Sequence, residues 1–352
     1  VREVLGHIGT HCGLPIILGG YHASLKPEET LSLPGVEAIL IGDGEYALAE
    51  YLDRREAGGA TSDIPGGWTK RDGGIVRTAK GCFIKDIDDL PIPDWDLWED
   101  LDLYFYFLGM LYIIGTRGCP YKCTYCDAHG ISEAVDGQYY RIRDPVKYAQ
   151  EIAFQWEKYK GRNMRLAQLF DQIPTASINW LRPFCEAYMR TSAWGRLKYS
   201  MFARIDQLDE EKLGLLGKSG CALLRVGIEA GNDFIRNEVY GKHISREKIK
   251  EIFRIARANG VGFTAFNILG GPAETPATLR DTIRLAMELD ANRTAFFIYK
   301  PFTEEGCRQI YQYGGWIDEK RWRAADNITF GAVVASKALS VRKVELYQKV
   351  AY

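Results

Sequence analysis

From residue 111 onward the apolar and polar positions repeat in one rhythm. Short apolar runs, "LYIIGT", "RLAQLF", "KYSMFA", "LLRVGIE", "GFTAFNILG" and "TAFFIYK", alternate with longer stretches of helical period such as "DPVKYAQEIAFQWEKY" and "SREKIKEIFRIARANG". A continuous apolar run bounded by turn residues fits a strand buried on both faces. Apolar positions three and four apart fit a helix packed by one side. Six such strand–helix units predict a parallel sheet, closed or nearly closed into a partial (β/α)6 TIM-like barrel over residues 111–310. Six units are two short of a full eight-stranded barrel, so an open side is expected, wide enough for a large substrate or a neighbouring domain.

Residues 1–79 carry a shorter α/β rhythm. "REVLGHIGTHCG" reads as the end of a helix, "LPIILGG" and "VEAILIGDG" as buried strands, "KPEETLSL" as a helix start and "EYALAEYLDRREAGG" as a helix with a glycine stop. This is half of a doubly wound, Rossmann-like domain. The chain opens without methionine and already in amphipathic rhythm, which reads as a fragment beginning inside a helix. "GGWTKRDGGIVRT" predicts a hairpin around "RDGG". Residues 80–110 read as an extended surface linker. The most apolar stretch, "LYFYFLGMLYIIG", reads as a buried strand and its connection. Residues 311–352 are helical by pattern.

Composition narrows the class. The 352 residues are 46% hydrophobic and 26% charged, with a net charge of −1. That is ordinary for a soluble globular chain and supplies no field for a polyanion, so nucleic acid is not an expected partner. No apolar run approaches the ~18–20 residues needed to span a bilayer. No signal peptide is read, and a cytoplasmic location is expected.

Of eight cysteines, five are scattered. Three crowd into "TRGCPYKCTYCD" as Cys119, Cys123 and Cys126, which points to a reducing compartment and a metal. The loop follows the first barrel strand and so falls at the carboxyl end of the barrel, where active sites of this architecture gather. Thiolates favour zinc or iron–sulfur clusters. His129 offers a fourth ligand for a Cys3His zinc loop, but closed zinc sites are normally built from two separated ligand pairs. A [4Fe–4S] cluster on three thiolates fits better and leaves one iron with an open position.

The C-x3-C-x2-C spacing, with Tyr125 before the last cysteine, resembles the radical S-adenosylmethionine (SAM) enzymes. The resemblance implies that the open iron chelates SAM. An electron from the cluster then cleaves SAM to methionine and a 5′-deoxyadenosyl radical. It also implies a reductant such as flavodoxin or ferredoxin. "RVGIEAG" is similar to the family's G-x-E-x-G segment, which puts Glu229 at the SAM ribose. "NILGGPAET" is similar to its G-x-P-x-E-T turn, in which Gly270, Gly271 and Pro272 let backbone approach the cofactor. By the same likeness Arg204 is placed to meet the SAM carboxylate. Asp171 faces the SAM amino group or the substrate, and Tyr125 walls the adenine pocket. His129 is not expected to be a ligand.

"LGGYHASLKPEE" followed by "ILIGDGE" resembles the second half of a cobalamin-binding domain, as found ahead of the barrel in cobalamin-dependent radical SAM enzymes. The resemblance assigns corrinoid contacts to Gly19, Gly20, Tyr21 and His22 and to Gly42 and Gly44. His22 is read as an exposed loop histidine near the nucleotide tail. The implied function is methylation of an unactivated carbon in a small-molecule substrate. A cyclisation or rearrangement without methyl transfer is the alternative, and a non-enzymatic metal-binding module is the remaining one.

Overall fold

The computed structural model describes residues 2–71, 73–324 and 331–352. The chain divides into two compact units. The first comprises residues 1–86, 118–120 and 127–141; the second comprises residues 87–117, 121–126 and 142–352.

In the first unit, strands β1 (Ile16–Leu18) and β2 (Val36–Leu40) pair in parallel, as two buried apolar runs joined through helices should. The strand direction then reverses. β3 (Gly67–Arg71) runs antiparallel to β2, and β4 (Gly74–Val76) runs antiparallel to β3, with Arg71 opposite Gly74. Asp72 of the "RDGG" turn lies outside the described residues. The expected half of a doubly wound domain is thus one parallel pair extended by a hairpin. Leu31, Val36 and Ile39 fill its core.

The second unit holds an all-parallel, curled six-stranded sheet, the partial TIM-type barrel that the periodicity predicts. Its strands are β5 (Met110–Ile113), β6 (Leu166–Leu169), β7 (Lys198–Ala203), β8 (Cys221–Glu229), β9 (Gly262–Leu269) and β10 (Arg293–Ile298), each paired with the next. Side chains alternate across the strands. Leu169, Met201, Val226 and Ala265 point to the helices and are fully or almost fully buried against Ile152, Leu181, Leu213 and Ile252. The intervening residues line the opposite face. The connecting helices begin where sequence says they should. Asp144 caps Pro145–Tyr159 by accepting from the amides of Val146 and Lys147, and Thr275 and Thr278 form a capping box around Pro276 at the start of helix Pro276–Leu289.

Two expectations fail. Leu101–Leu108, in the stretch read as an extended linker, is an α-helix closed by Gly109 in the left-handed region, while the buried strand read in the apolar stretch is present as β5. Leu101 and Phe105, four apart, are buried in the core and Tyr104 packs against it; Tyr106 and Phe107 are exposed. Two anchors one turn apart suffice to dock a short helix, and the run of apolar residues conceals that spacing. The last residues are not wholly helical either. Two short strands, β11 (Gly315–Ile317) and β12 (Val334–Ser336), pair antiparallel between the helices Glu304–Gln312 and Val341–Ala351. Residues 325–330 of the predicted helical region lie outside the described ones.

Candidate active site at the carboxyl end of the barrel

The site is built from the ends of the barrel strands and from the segment Tyr121–Cys126. Cys123 and Cys126 share a turn, in which the Cys126 amide donates to the Cys123 carbonyl at 3.1 Å. The turn is tied down by its neighbours. Thr124 Oγ1 donates to the Val239 carbonyl at 2.7 Å, and its own carbonyl accepts from the Thr303 hydroxyl. Cys123 is half-buried and Cys126 exposed; Cys119, in segment 118–120 of the first unit, is half-buried.

Arg204, which follows β7, is buried beside this turn. Its Nη1 donates to Cys123 Sγ at 3.4 Å and its Nη2 to the Lys242 carbonyl. Asp206 pairs with it at 2.8 Å, and Tyr121 lies under the guanidinium at 4.1 Å.

At the end of β8 the backbone departs from regular strand. The pairing with β9 slips between Gly227 and Glu229, and Glu229 adopts a φ of 66°. For a residue with a side chain this left-handed conformation is uncommon, and such departures cluster at functional sites. It turns the carboxylate toward the cysteine turn. Glu229 Oε1 accepts from the Tyr125 hydroxyl at 2.9 Å and from Lys242 Nζ at 3.0 Å. Lys242 also donates to the Gly227 carbonyl at 2.6 Å. Burial, and then the charge of Glu229, push the Tyr125 hydroxyl pKa well above its ordinary value, so it stays a donor. The glycines of "GIEAG" have packing reasons. A side chain at Gly227 would collide with the Glu229 carboxylate and with Lys242 Nζ at 2.8 Å, and one at Gly231 would collide with the helix backbone at Asp281.

The remaining strand-end residues are engaged within the chain. Asp171, after β6, is fully buried. It accepts from the Gly115 amide at 2.7 Å and the Tyr148 hydroxyl at 2.6 Å, so it braces the strand end that launches the cysteine loop. Burial raises its pKa to about 6, with those hydrogen bonds opposing. Gly270 and Gly271 give their amides to Glu274 Oε2 at 2.6 and 2.8 Å. Gly271 makes room for the Tyr240 hydroxyl, and Gly270 for Val344. Pro272 follows in the same turn. The Tyr240 hydroxyl and Glu274 Oε1 are buried and find no hydrogen-bond partner among the described residues.

Sequence reasoning missed Lys242 and Tyr240. Both lie after the π-helical turn Ile235–Val239, and no local spacing announces the way that turn carries them back to the strand end. Of the expected residues, Tyr125, Arg204 and Glu229 come together with Cys123 and Cys126.

In the first unit, Gly19 and Gly20 follow β1, and Gly42 and Gly44 follow β2. Gly20 (φ 87°) and Gly42 (φ 92°) take conformations that disfavour side chains. Ser24 links the two loops: its hydroxyl donates to the Gly20 carbonyl and accepts from the Gly42 amide, both at 2.9 Å. Among the described residues a side chain at Gly20 or Gly44 would meet nothing within 4 Å, whereas one at Gly42 would collide with the Val135 side chain at 2.7 Å, so backbone lies open at Gly20 and Gly44 and is covered at Gly42. Tyr21 and His22 are exposed. Tyr21 reaches the Tyr139 hydroxyl at 3.3 Å. The His129 ring packs edge-on to Tyr139.

The donor set fits an iron–sulfur cluster: three thiols within eight positions, one of them beside a buried guanidinium. Among the described residues no three His, Cys, Asp or Glu side chains gather into a single-ion site. A cubane distributes its thiolates over separate irons, so donor type and spacing carry the fit.

Comparison with known proteins agrees with this architecture. The radical SAM superfamily profile matches residues 113–286. Among curated proteins, the anaerobic magnesium-protoporphyrin IX monomethyl ester cyclase of Cereibacter sphaeroides is 28% identical over 295 residues, covering 81% of this chain and 46% of that protein. An uncharacterized methyltransferase of Pyrococcus horikoshii is 25% identical over 291 residues, covering 82% and 61%. The chain thus spans about half to three-fifths of the length of these relatives. Among solved structures, a radical SAM methyltransferase from Kitasatospora setae, with tryptophan substrate and a SAM analogue bound, superposes with a TM-score of 0.73. That similarity is at 22% identity and covers 93% of this chain and 64% of that one. Residues 113–286 of this chain are a radical SAM superfamily domain.

Proposed function

We propose that the chain is the core of a cobalamin-dependent radical SAM enzyme that methylates an unactivated carbon of a small-molecule substrate. The observation that carries the reading is Glu229, turned by its left-handed backbone toward the cysteine turn and held there by Tyr125 and Lys242. With cluster, SAM and cobalamin bound, the cofactors supply reductive cleavage of SAM and a transferable methyl group.

The chain's own residues do the rest. Cys119, Cys123 and Cys126 hold the cluster. Arg204 offsets the thiolate charge at Cys123, and it or Lys242 offers a cation to an anionic cofactor group. Glu229 has a second oxygen, Oε2, available to accept from ribose hydroxyls. The Gly270–Pro272 turn keeps Tyr240 and Glu274 buried behind the site. Asp171 fixes the root of the cysteine loop. In the first unit the glycine loops at Gly19–Gly20 and Gly42–Gly44, flanked by Tyr21 and His22, would receive the corrinoid. Methyltransferases recur among the relatives, which supports methyl transfer.

A protein reductant such as flavodoxin or ferredoxin is part of the proposal. Among the described residues no helix is long and apolar enough to cross a membrane.

Reconstituted with iron and sulfide and given SAM and dithionite, the protein is expected to release 5′-deoxyadenosine, and Cys123→Ala is expected to release none. Equal release by both overturns the reading. Three relatives are named as cyclases, and product mass separates the two chemistries. A gain of one CH2 marks methyl transfer, and no gain marks ring closure or rearrangement.

A further inference from the structure

The face of the barrel sheet turned away from the helices carries a row of aromatic rings. Tyr112, Phe170, Phe202, Phe266 and Phe297 come from five of the six strands or their ends. Successive ring centroids stand 5.5, 5.3, 6.1 and 5.8 Å apart. None is fully buried, and Phe170 is 48% exposed. A core would have enclosed them. Here they form a wall whose ring surfaces remain accessible.

The sixth strand, β8, contributes a cation to this wall instead of a ring. Arg225 lies opposite Phe202 on β7 and Thr264 on β9, and Thr264 in turn lies opposite Arg293 on β10. The Arg225 guanidinium stands 5.9 Å from the Phe202 ring centroid. Its Nε is buried and finds no hydrogen-bond partner among the described residues. Among the described residues neither Arg225 nor Arg293 has a carboxylate within ion-pair distance. Burial lowers the Arg225 pKa; Tyr112 opposes the shift and Arg293 adds to it. A partly desolvated guanidinium beside a second cation, with no anion supplied by the described residues, is unfavourable unless a ligand brings the anion.

From this juxtaposition we infer that the inner face of the barrel binds a planar aromatic substrate carrying a carboxylate. The conjugated body lies on the Phe202–Phe266 wall and the carboxylate meets Arg225, with Arg293 adding positive field. Planar guanidinium and planar carboxylate match bidentately, and rings prefer offset or edge contact with the wall. The inference rests on the proposed reading that this side of the barrel faces the substrate, and it adds the class of substrate.

The test uses the reconstituted holoenzyme and two probes of one shape, 1-naphthoate and the uncharged 1-naphthalenemethanol, with binding followed by calorimetry. Naphthoate is expected to bind about tenfold to a hundredfold more tightly, the range for a hydrogen bond to a charged group. Arg225→Gln should erase the difference between the probes, while Phe266→Leu should weaken both alike. Should Arg225→Gln fail to fold, phenylglyoxal modification of the parent protein serves instead. Naphthoate should slow the labelling of Arg225, mapped by mass spectrometry, and the alcohol should not. Equal affinity for the two probes, or labelling of Arg225 indifferent to naphthoate, overturns the inference. Release of 5′-deoxyadenosine by the same preparation reports on the radical SAM reading separately, so either can fail alone.

Discussion

Arg204 donates to the sulfur of Cys123 at 3.4 Å while its guanidinium rests on the ring of Tyr121. The pair joins the end of the third barrel strand to the cysteine turn. Hydrogen bonds to cluster sulfurs and nearby charge set an iron–sulfur potential. Arg204→Gln removes the cation, so the more negative, reduced cluster loses support. The expected outcome is unchanged iron content and a midpoint potential lower by on the order of 60 mV, a tenfold change in a one-electron equilibrium. An EPR-monitored redox titration checks it; an unshifted potential with intact iron content refutes it.

Glu229 and Lys242 form a buried pair, and Gly227 leaves the space they occupy. Glu229→Gln leaves the lysine charge uncompensated. We expect a loss of stability of about 3 kcal/mol and weaker SAM binding in equilibrium dialysis. Lys242→Met together with Glu229→Gln should recover part of the stability and none of the binding. Recovery of both would show that the carboxylate serves packing alone.

Gly227→Ala tests the same geometry from the backbone. Its methyl group would displace the Glu229 carboxylate, a cost of about 1–3 kcal/mol for overpacking. Urea unfolding should report that loss, and SAM affinity should fall with it. By contrast, Gly44→Ala meets no neighbour within 4 Å and should leave stability within about 0.5 kcal/mol of the parent.

Glu274 gives a pH signature. Burial raises its pKa from 4.5 to about 8, against the opposing bonds from Gly271 and Gly270. The folded form therefore holds a proton that the unfolded chain releases above pH 4.5. The contribution to stability is full below that pH and is lost as pH rises toward 8. Glu274→Gln keeps an oxygen acceptor for the two amides and cannot ionise. Unfolding free energies across pH 5–8 should fall less steeply in the variant, the full slope of one proton being about 1.4 kcal/mol per unit. Parallel profiles for the two proteins would show that Glu274 does not titrate in this range.

The barrel was legible because each strand announces itself twice, by an apolar run and by the helix pattern that follows. The cysteine turn was legible because thiol spacing is a local property. The partners of Glu229 were not. Lys242 reaches it only through the π-helical turn Ile235–Val239, and a hydrogen bond formed that way leaves no spacing in the sequence. Asp171 shows the converse. Its position at a strand end suggests a ligand, yet the Tyr148 hydroxyl and Gly115 amide that engage it come from 23 and 56 positions away. The helix Leu101–Leu108 was missed because Leu101, Tyr104 and Phe105 face inward from a run that is apolar nearly throughout, and hydrophobic content alone does not say which positions do.

The single hydroxyl of Ser24 joins the glycine loops of the first unit, giving its proton to one and its lone pair to the other. Neither loop can shift without breaking a bond that steadies its neighbour. A molecule ordering the Gly20 loop would therefore order the Gly42 loop with it, and the entropy of closing around a bound ring would be spent once for the two. In Ser24→Ala the loops would become independent hinges, each with its own exchange rate.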